Sequence, residues 1–161
     1  MSHGRIILIT GASRGVGKGI AEGIARKGDT VICAARTIAK GTKVKQFGFE
    51  ISSSAEETCN VLNDLGAHAV PYSIDLNSHS EIIQLANYID TKFGRLDILV
   101  HAACQIHDDL VEPKPFWEKS TKLWSIIEVG LRSNYLLTHA LAPLMIKHQS
   151  GLIVHISSHG A

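Results

Sequence analysis

The chain has 161 residues, 45% of them hydrophobic and 19% charged, with a formal net charge of +1. That length carries one domain with a sizeable core, and the even charge gives no drive toward nucleic acid or an anionic membrane surface. Three cysteines without a C-x-x-C pair argue against a disulfide frame and for a reducing compartment. Nine histidines include no H-E-x-x-H or H-x-H spacing, so no metal site is expected. The opening MSHGRIILIT lacks a signal-peptide core, and no apolar run has the length of a membrane span, so a cytoplasmic chain is expected.

The compact aliphatic run Arg5–Thr10 predicts a buried strand bounded by Gly11. Ile20, Ala21, Ile24 and Ala25 recur at helical spacing between Gly17 and Lys27, and Gly28 supplies a stop. Thr30–Ala35 predicts a second strand. The stretch Thr37–Ser53, with Lys40, Lys43 and Lys45, shows little periodicity and reads as a long inserted loop or lid. Ser54 with Glu57, and Ser78 with Glu81, have capping-box spacing. The first pair opens a helix running to Leu65; the second opens one whose apolar face is Ile82, Leu85, Ala86 and Ile89. Between them Ala69–Ile74 predicts a third strand, with Pro71 favouring a strand edge or end. Leu96–Val100 predicts a fourth strand, about Thr121–His148 a long helix bent near Pro143, and Leu152–Ile156 a fifth strand.

Alternating helices and near-continuous aliphatic strands predict a single α/β domain, a doubly wound parallel sheet with helices on both faces. Its ligand crevice belongs at the carboxyl ends of the strands. The first strand-to-helix turn is Thr10-Gly11-Ala12-Ser13-Arg14-Gly15-Val16-Gly17. Its glycines let backbone turn sharply and approach a ligand, and the following helix points free N–H groups at the loop, which favours a diphosphate. Glycines alone do not separate a dinucleotide enzyme from other nucleotide binders.

The T-G-x-x-x-G-x-G spacing resembles the short-chain dehydrogenase/reductase family. The likeness continues through Asp75 after strand three, Leu96–Val100 as strand four, and Gly151-Leu152-Ile153-Val154-His155-Ile156-Ser157-Ser158. It implies a Rossmann fold of five strands in the order 3-2-1-4-5, lacking the family's last strands. It also implies an oxidoreductase acting on a small carbonyl or alcohol, association through the long helices, and no nucleic-acid or membrane partner. The implied cofactor contacts are Gly11, Ser13, Arg14, Gly15, Val16, Gly17, Arg36, Asp75, Leu76, Ala102 and Ala103. Where a carboxylate would select NAD stands Ala35, followed by Arg36. A guanidinium there, with Arg14, can grip a 2′-phosphate, so NADP(H) is expected over NAD(H).

Ser158 matches the family's catalytic serine, which hydrogen-bonds the substrate oxygen. The partnering Tyr-x-x-x-Lys should follow by about a dozen residues, yet the sequence ends at Ala161. Tyr72, Tyr88 and Tyr135 fall in other segments. The reading is therefore a truncated chain, inactive by itself; its alternatives are a non-catalytic NADP(H)-binding module and another nucleotide-binding enzyme. The family's N-N-A-G appears as His101-Ala102-Ala103-Cys104, and its helix asparagine as Gly130. The run Pro115-Phe116-Trp117-Glu118 followed by Val129-Gly130-Leu131-Arg132 resembles the subgroup of dehydrogenase/reductase member one, which also carries glycine there.

Overall fold

A computed structural model describes residues 4–157. Five strands form one parallel sheet: β1 (Ile6–Thr10), β2 (Thr30–Ala35), β5 (His68–Ser73), β6 (Ile98–His101) and β7 (Leu152–His155). Their spatial order is β5-β2-β1-β6-β7, which is 3-2-1-4-5 when the parallel strands alone are counted. The helices are α1 (Gly15–Ile24), α2 (Ala55–Asp64), α3 (His79–Phe93), the short α4 (Trp124–Ile127) and α5 (Ser133–Lys147). Alternating residues of one strand feed opposite cores. Leu8 packs with Ile82, Leu85, Leu137 and Leu141 on one face, and Ile7 and Ile9 with Ala21, Cys59 and Leu62 on the other. Pro71 lies in β5, an edge strand of the sheet, where a missing N–H costs no central ladder bond.

The segment Thr37–Ser53 is not a structureless loop. Lys43–Gln46 (β3) and Phe49–Ser52 (β4) pair antiparallel as a hairpin, with Val44 opposite Ile51 and Lys45 opposite Glu50. Its turn places Phe47 at φ 50° and Gly48 at φ 79°. Two consecutive positive φ angles suit the twist of a two-residue hairpin, but Asn-Gly or Asp-Gly normally marks such a turn. A phenylalanine in the left-handed region hides that signal.

Several boundaries move for identifiable reasons. The first helix spans Gly15–Ile24 rather than Gly17–Lys27. The Arg5 guanidinium donates to the Ile24 carbonyl (2.7 Å), and the Asp29 carboxylate accepts the Arg26 N–H (2.9 Å). The fourth strand starts at Ile98 rather than Leu96; the Asp97 carboxylate instead accepts the Ile6 N–H (2.7 Å) and pairs with Arg95. Only the outward half of each capping box forms. Ser54 and Ser78 accept the N–H groups of Glu57 and Glu81. The glutamates bond elsewhere, Glu57 to the Gly41 N–H and Ser52, and Glu81 to the Asp75 N–H.

The long helix beyond Thr121 departs from α geometry at Glu128–Arg132, a π turn, and Pro143 lies inside α5. At that turn Ser133 Oγ donates to the Val129 carbonyl (2.6 Å) and Asn134 Nδ2 to the Gly130 carbonyl (2.8 Å). Such side-chain donors take up carbonyls of the backbone ladder, a recognised cause of irregular turns.

Candidate functional site: a cleft at the strand ends

Strand order reverses between β1 and β6, whose ends pair Thr10 with His101. A cleft of about 710 Å³ opens there, within the range of small-molecule and cofactor sites. Gly11 turns the chain out of β1 at φ 73°, and a Cβ on it would lie 2.7 Å from Ala103 Cα. The Thr10 hydroxyl secures the same junction, donating to the Val100 carbonyl and accepting the Ala103 N–H at 3.4 Å each. Gly17 lets α1 seat on the turn, since a Cβ there would come 2.3 Å from the Gly11 carbonyl oxygen. The turn is braced from α2 as well: Thr58 Oγ1 donates to the Ala12 carbonyl (2.8 Å), and the Ser54 N–H to the Ser13 carbonyl (3.1 Å).

All of Gly11, Ser13, Arg14, Gly15, Val16, Gly17, Arg36, Asp75, Leu76, Ala102 and Ala103 line this one cleft. The N-cap of α1, Arg14, makes no side-chain cap bond, and the first turn carries no acidic residue. Donor N–H groups and the positive end of a ten-residue helix therefore border the cavity, an arrangement that suits an anion. Around Gly15 a Cβ would meet nothing within 4 Å, so the backbone is open to a close-lying group. Arg14 is partly exposed and Arg36 exposed; among the described residues neither is in an ion pair. Asp75 holds the turn before α3, its Oδ1 accepting the Asn77 N–H (3.0 Å) and side-chain amide (2.9 Å).

The same cavity is lined by residues that sequence reasoning passed over: Val44, Lys45, Gln46 and Ile51 of the hairpin, Ser53 at its base, and Ile106 and Asp108 beyond β6. Ser53 Oγ donates to Ser13 Oγ (3.1 Å).

At the β6 end His101 is 1% exposed. Its Nε2 lies 3.0 Å from Thr138 Oγ1, its ring stacks on His155 at 4.5 Å between centroids, and its Nδ1 has no hydrogen-bond partner among the described residues. Burial, then the neighbouring His155, pushes its pKa down to about 4. Gly130 lies in the π turn and Val129 borders the cleft. Ser158 lies outside the described residues. Tyr72 packs on Tyr88 at 5.1 Å and Tyr135 is exposed; none of the three borders the cleft. Among the described residues no helix is long and apolar enough to cross a membrane, and no cluster of three or more His, Cys, Asp or Glu side chains forms.

An open parallel sheet with a glycine turn at the point where strand order reverses defines a Rossmann-type doubly wound domain. The chain belongs to the short chain dehydrogenase family, whose family model matches residues 5–161. It is 35% identical over 163 residues to the human protein dehydrogenase/reductase SDR family member 1, covering 99% of this chain and 48% of that protein. The mouse protein of the same name is 34% identical over 161 residues, covering 98% and 47%. The chain thus spans about half the length of these curated relatives. Among solved structures, a metagenomic short-chain oxidoreductase in complex with NADP matches with a TM-score of 0.80 and 28% identity, over 97% of this chain and 63% of that one.

Proposed function

We propose that this chain forms the NADP(H)-binding part of a short-chain oxidoreductase acting on a small carbonyl or alcohol. The observation that carries this reading is the convergence on one cleft of the glycine turn, the uncapped start of α1 and two arginines that are in no ion pair among the described residues. The N–H groups around Gly15 and Val16 would hold the diphosphate, and Arg14 and Arg36 the 2′-phosphate. Ala35, in place of a carboxylate, leaves that phosphate unopposed. Leu76, Ala102 and Ala103 offer apolar surface and close backbone, and Asp75 an acceptor for an adenine amino group. The family resemblance assigns Ser158 to the substrate oxygen. The cofactor, when bound, supplies the hydride; this chain's described residues bind and orient it. The complex of a similar oxidoreductase with NADP supports the choice of cofactor. Exposed Trp124, Leu131 and Tyr135 on α4 through α5 support association through the long helices.

Fluorescence titration with NADPH and NADH tests the reading, with tighter NADPH binding expected. Equal affinities would refute the role given to Arg14 and Arg36, and no binding of either would refute the whole. Turnover over a carbonyl panel then separates an enzyme from a non-catalytic NADP(H)-binding module.

A further inference from the structure

The β3–β4 hairpin follows Arg36 in the chain and reaches the segment beyond β6, which also lines the cleft. At its tip the Phe47 N–H donates to Asp108 Oδ1 at 2.9 Å, joining residues 61 positions apart. At its base Ser53 Oγ donates to Ser13 Oγ at 3.1 Å, beside the glycine turn. Between these fastenings Val44 and Ile51 stand opposite one another and border the cavity. Ile51 is 37% exposed, an apolar side chain facing open space rather than core. Lys43 pairs instead with Glu50, at 3.3 Å. The hairpin thus borders the cleft with the apolar pair Val44 and Ile51 and with Lys45 and Gln46, while Lys43 and Glu50 pair with each other. Leu76, Ala102 and Ile106 border the same cavity.

We propose that this hairpin is a clasp for the bound dinucleotide, with Val44 and Ile51 packing against its adenine base and the Phe47–Asp108 hydrogen bond serving as the catch. The proposal rests on the NADP(H) reading above, because the part of that ligand beside Arg36 is the adenosine half. A planar base between two apolar walls loses water from both faces, which favours burial. A backbone N–H held by a carboxylate is a charge-assisted bond and stronger than a neutral one. Asp108 acts through the hairpin and is a positioning residue; Val44 and Ile51 touch the ligand.

The test uses the full chain with three probes: NADPH, adenosine 2′,5′-bisphosphate and nicotinamide mononucleotide. Asp108→Ala is expected to speed NADPH dissociation by about tenfold, the usual scale for losing a hydrogen bond to a charged group. Asp108→Asn, whose side-chain oxygen still accepts the Phe47 N–H, should restore most of the residence time. Val44→Ser with Ile51→Ser should weaken NADPH and the bisphosphate by about tenfold and leave the mononucleotide unchanged. In the unsubstituted chain, saturating NADPH should slow tryptic cleavage after Lys43 and Lys45, a readout that needs no variant to fold. If the unsubstituted chain binds NADPH while dissociation, probe affinities and tryptic cleavage all stay unchanged, the clasp is refuted and the cofactor reading stands. If it binds no dinucleotide, both fall together.

Discussion

Lowering the pH from 7.5 to 5.0 should destabilise this fold through His101 before any carboxylate contributes. The ring is buried, its Nε2 is engaged by Thr138, and His155 stacks on it. A proton on His101 would therefore be desolvated and set against a second imidazole, and its folded pKa falls to about 4 from the ordinary 6.5. Between those two values the unfolded chain binds more protons than the folded one, so stability rises with pH across that window. His101 contributes its full share above pH 6.5 and loses it progressively as pH falls toward 4. The loss is about 2 kcal/mol at pH 5 and approaches about 3 kcal/mol below pH 4.

Asp29 works in a lower window. Burial raises its carboxyl pKa, but the Arg5 guanidinium and the N–H groups of Arg5 and Arg26 lower it further than burial raises it. Its contribution is lost only as pH falls below the ordinary 3.8. Urea denaturation of the unsubstituted chain and of His101→Asn, each at pH 7.5 and 5.0, isolates the histidine. The unsubstituted chain should lose about 2 kcal/mol more than the variant between the two conditions. An equal loss in both, or a His101 ring resonance titrating near 6.5, would refute the reasoning.

Three further outcomes are expected. Arg36→Ala should weaken NADPH by about tenfold or more, the scale of a charge-assisted contact, with NADH unaffected in the same titration; parallel losses for both cofactors would remove the arginine from the 2′-phosphate. Gly17→Ala puts a Cβ 2.3 Å from the Gly11 carbonyl oxygen, whereas Gly19 has nothing within 4 Å. Thermal melting should therefore show Gly17→Ala destabilised by about 1–3 kcal/mol and Gly19→Ala stabilised by about 0.5–1 kcal/mol. Cys104 is exposed, while Cys33 and Cys59 are buried, and a hydrogen bond with Cys59, together with burial, holds the Cys33 thiol well above its ordinary range. A thiol reagent should accordingly modify one cysteine quickly and the other two only under denaturant; three fast thiols would mean that the packing around α2 and β2 is wrong.

The parallel sheet was legible because its strands are short aliphatic runs separated by helices with one apolar face, and each such pattern is local. The glycine turn was legible for the same reason: Gly11, Gly15 and Gly17 mark positions that a neighbouring backbone or a left-handed angle demands. The hairpin was not, because Phe47 occupies a turn position that asparagine or aspartate usually announces. The half-formed capping boxes escaped too. Spacing offers Glu57 and Glu81 a local partner, but the chain folds Gly41 and Asp75 within reach of their carboxylates.

Sequence alone determined the fold class and the side of the sheet on which a ligand belongs, since these follow from hydrophobic period and from where glycine replaces larger residues; the strand order came from the family resemblance, and the folded sheet carries it. Tertiary structure decided how that cleft is walled and what packs at the end of β6. Asp108 meets Phe47 and Ser53 meets Ser13 at the cleft, and His101 stacks on His155 beside it in the sheet. Each contact joins residues far apart in the chain, and no local pattern encodes a distance that only the folded backbone sets.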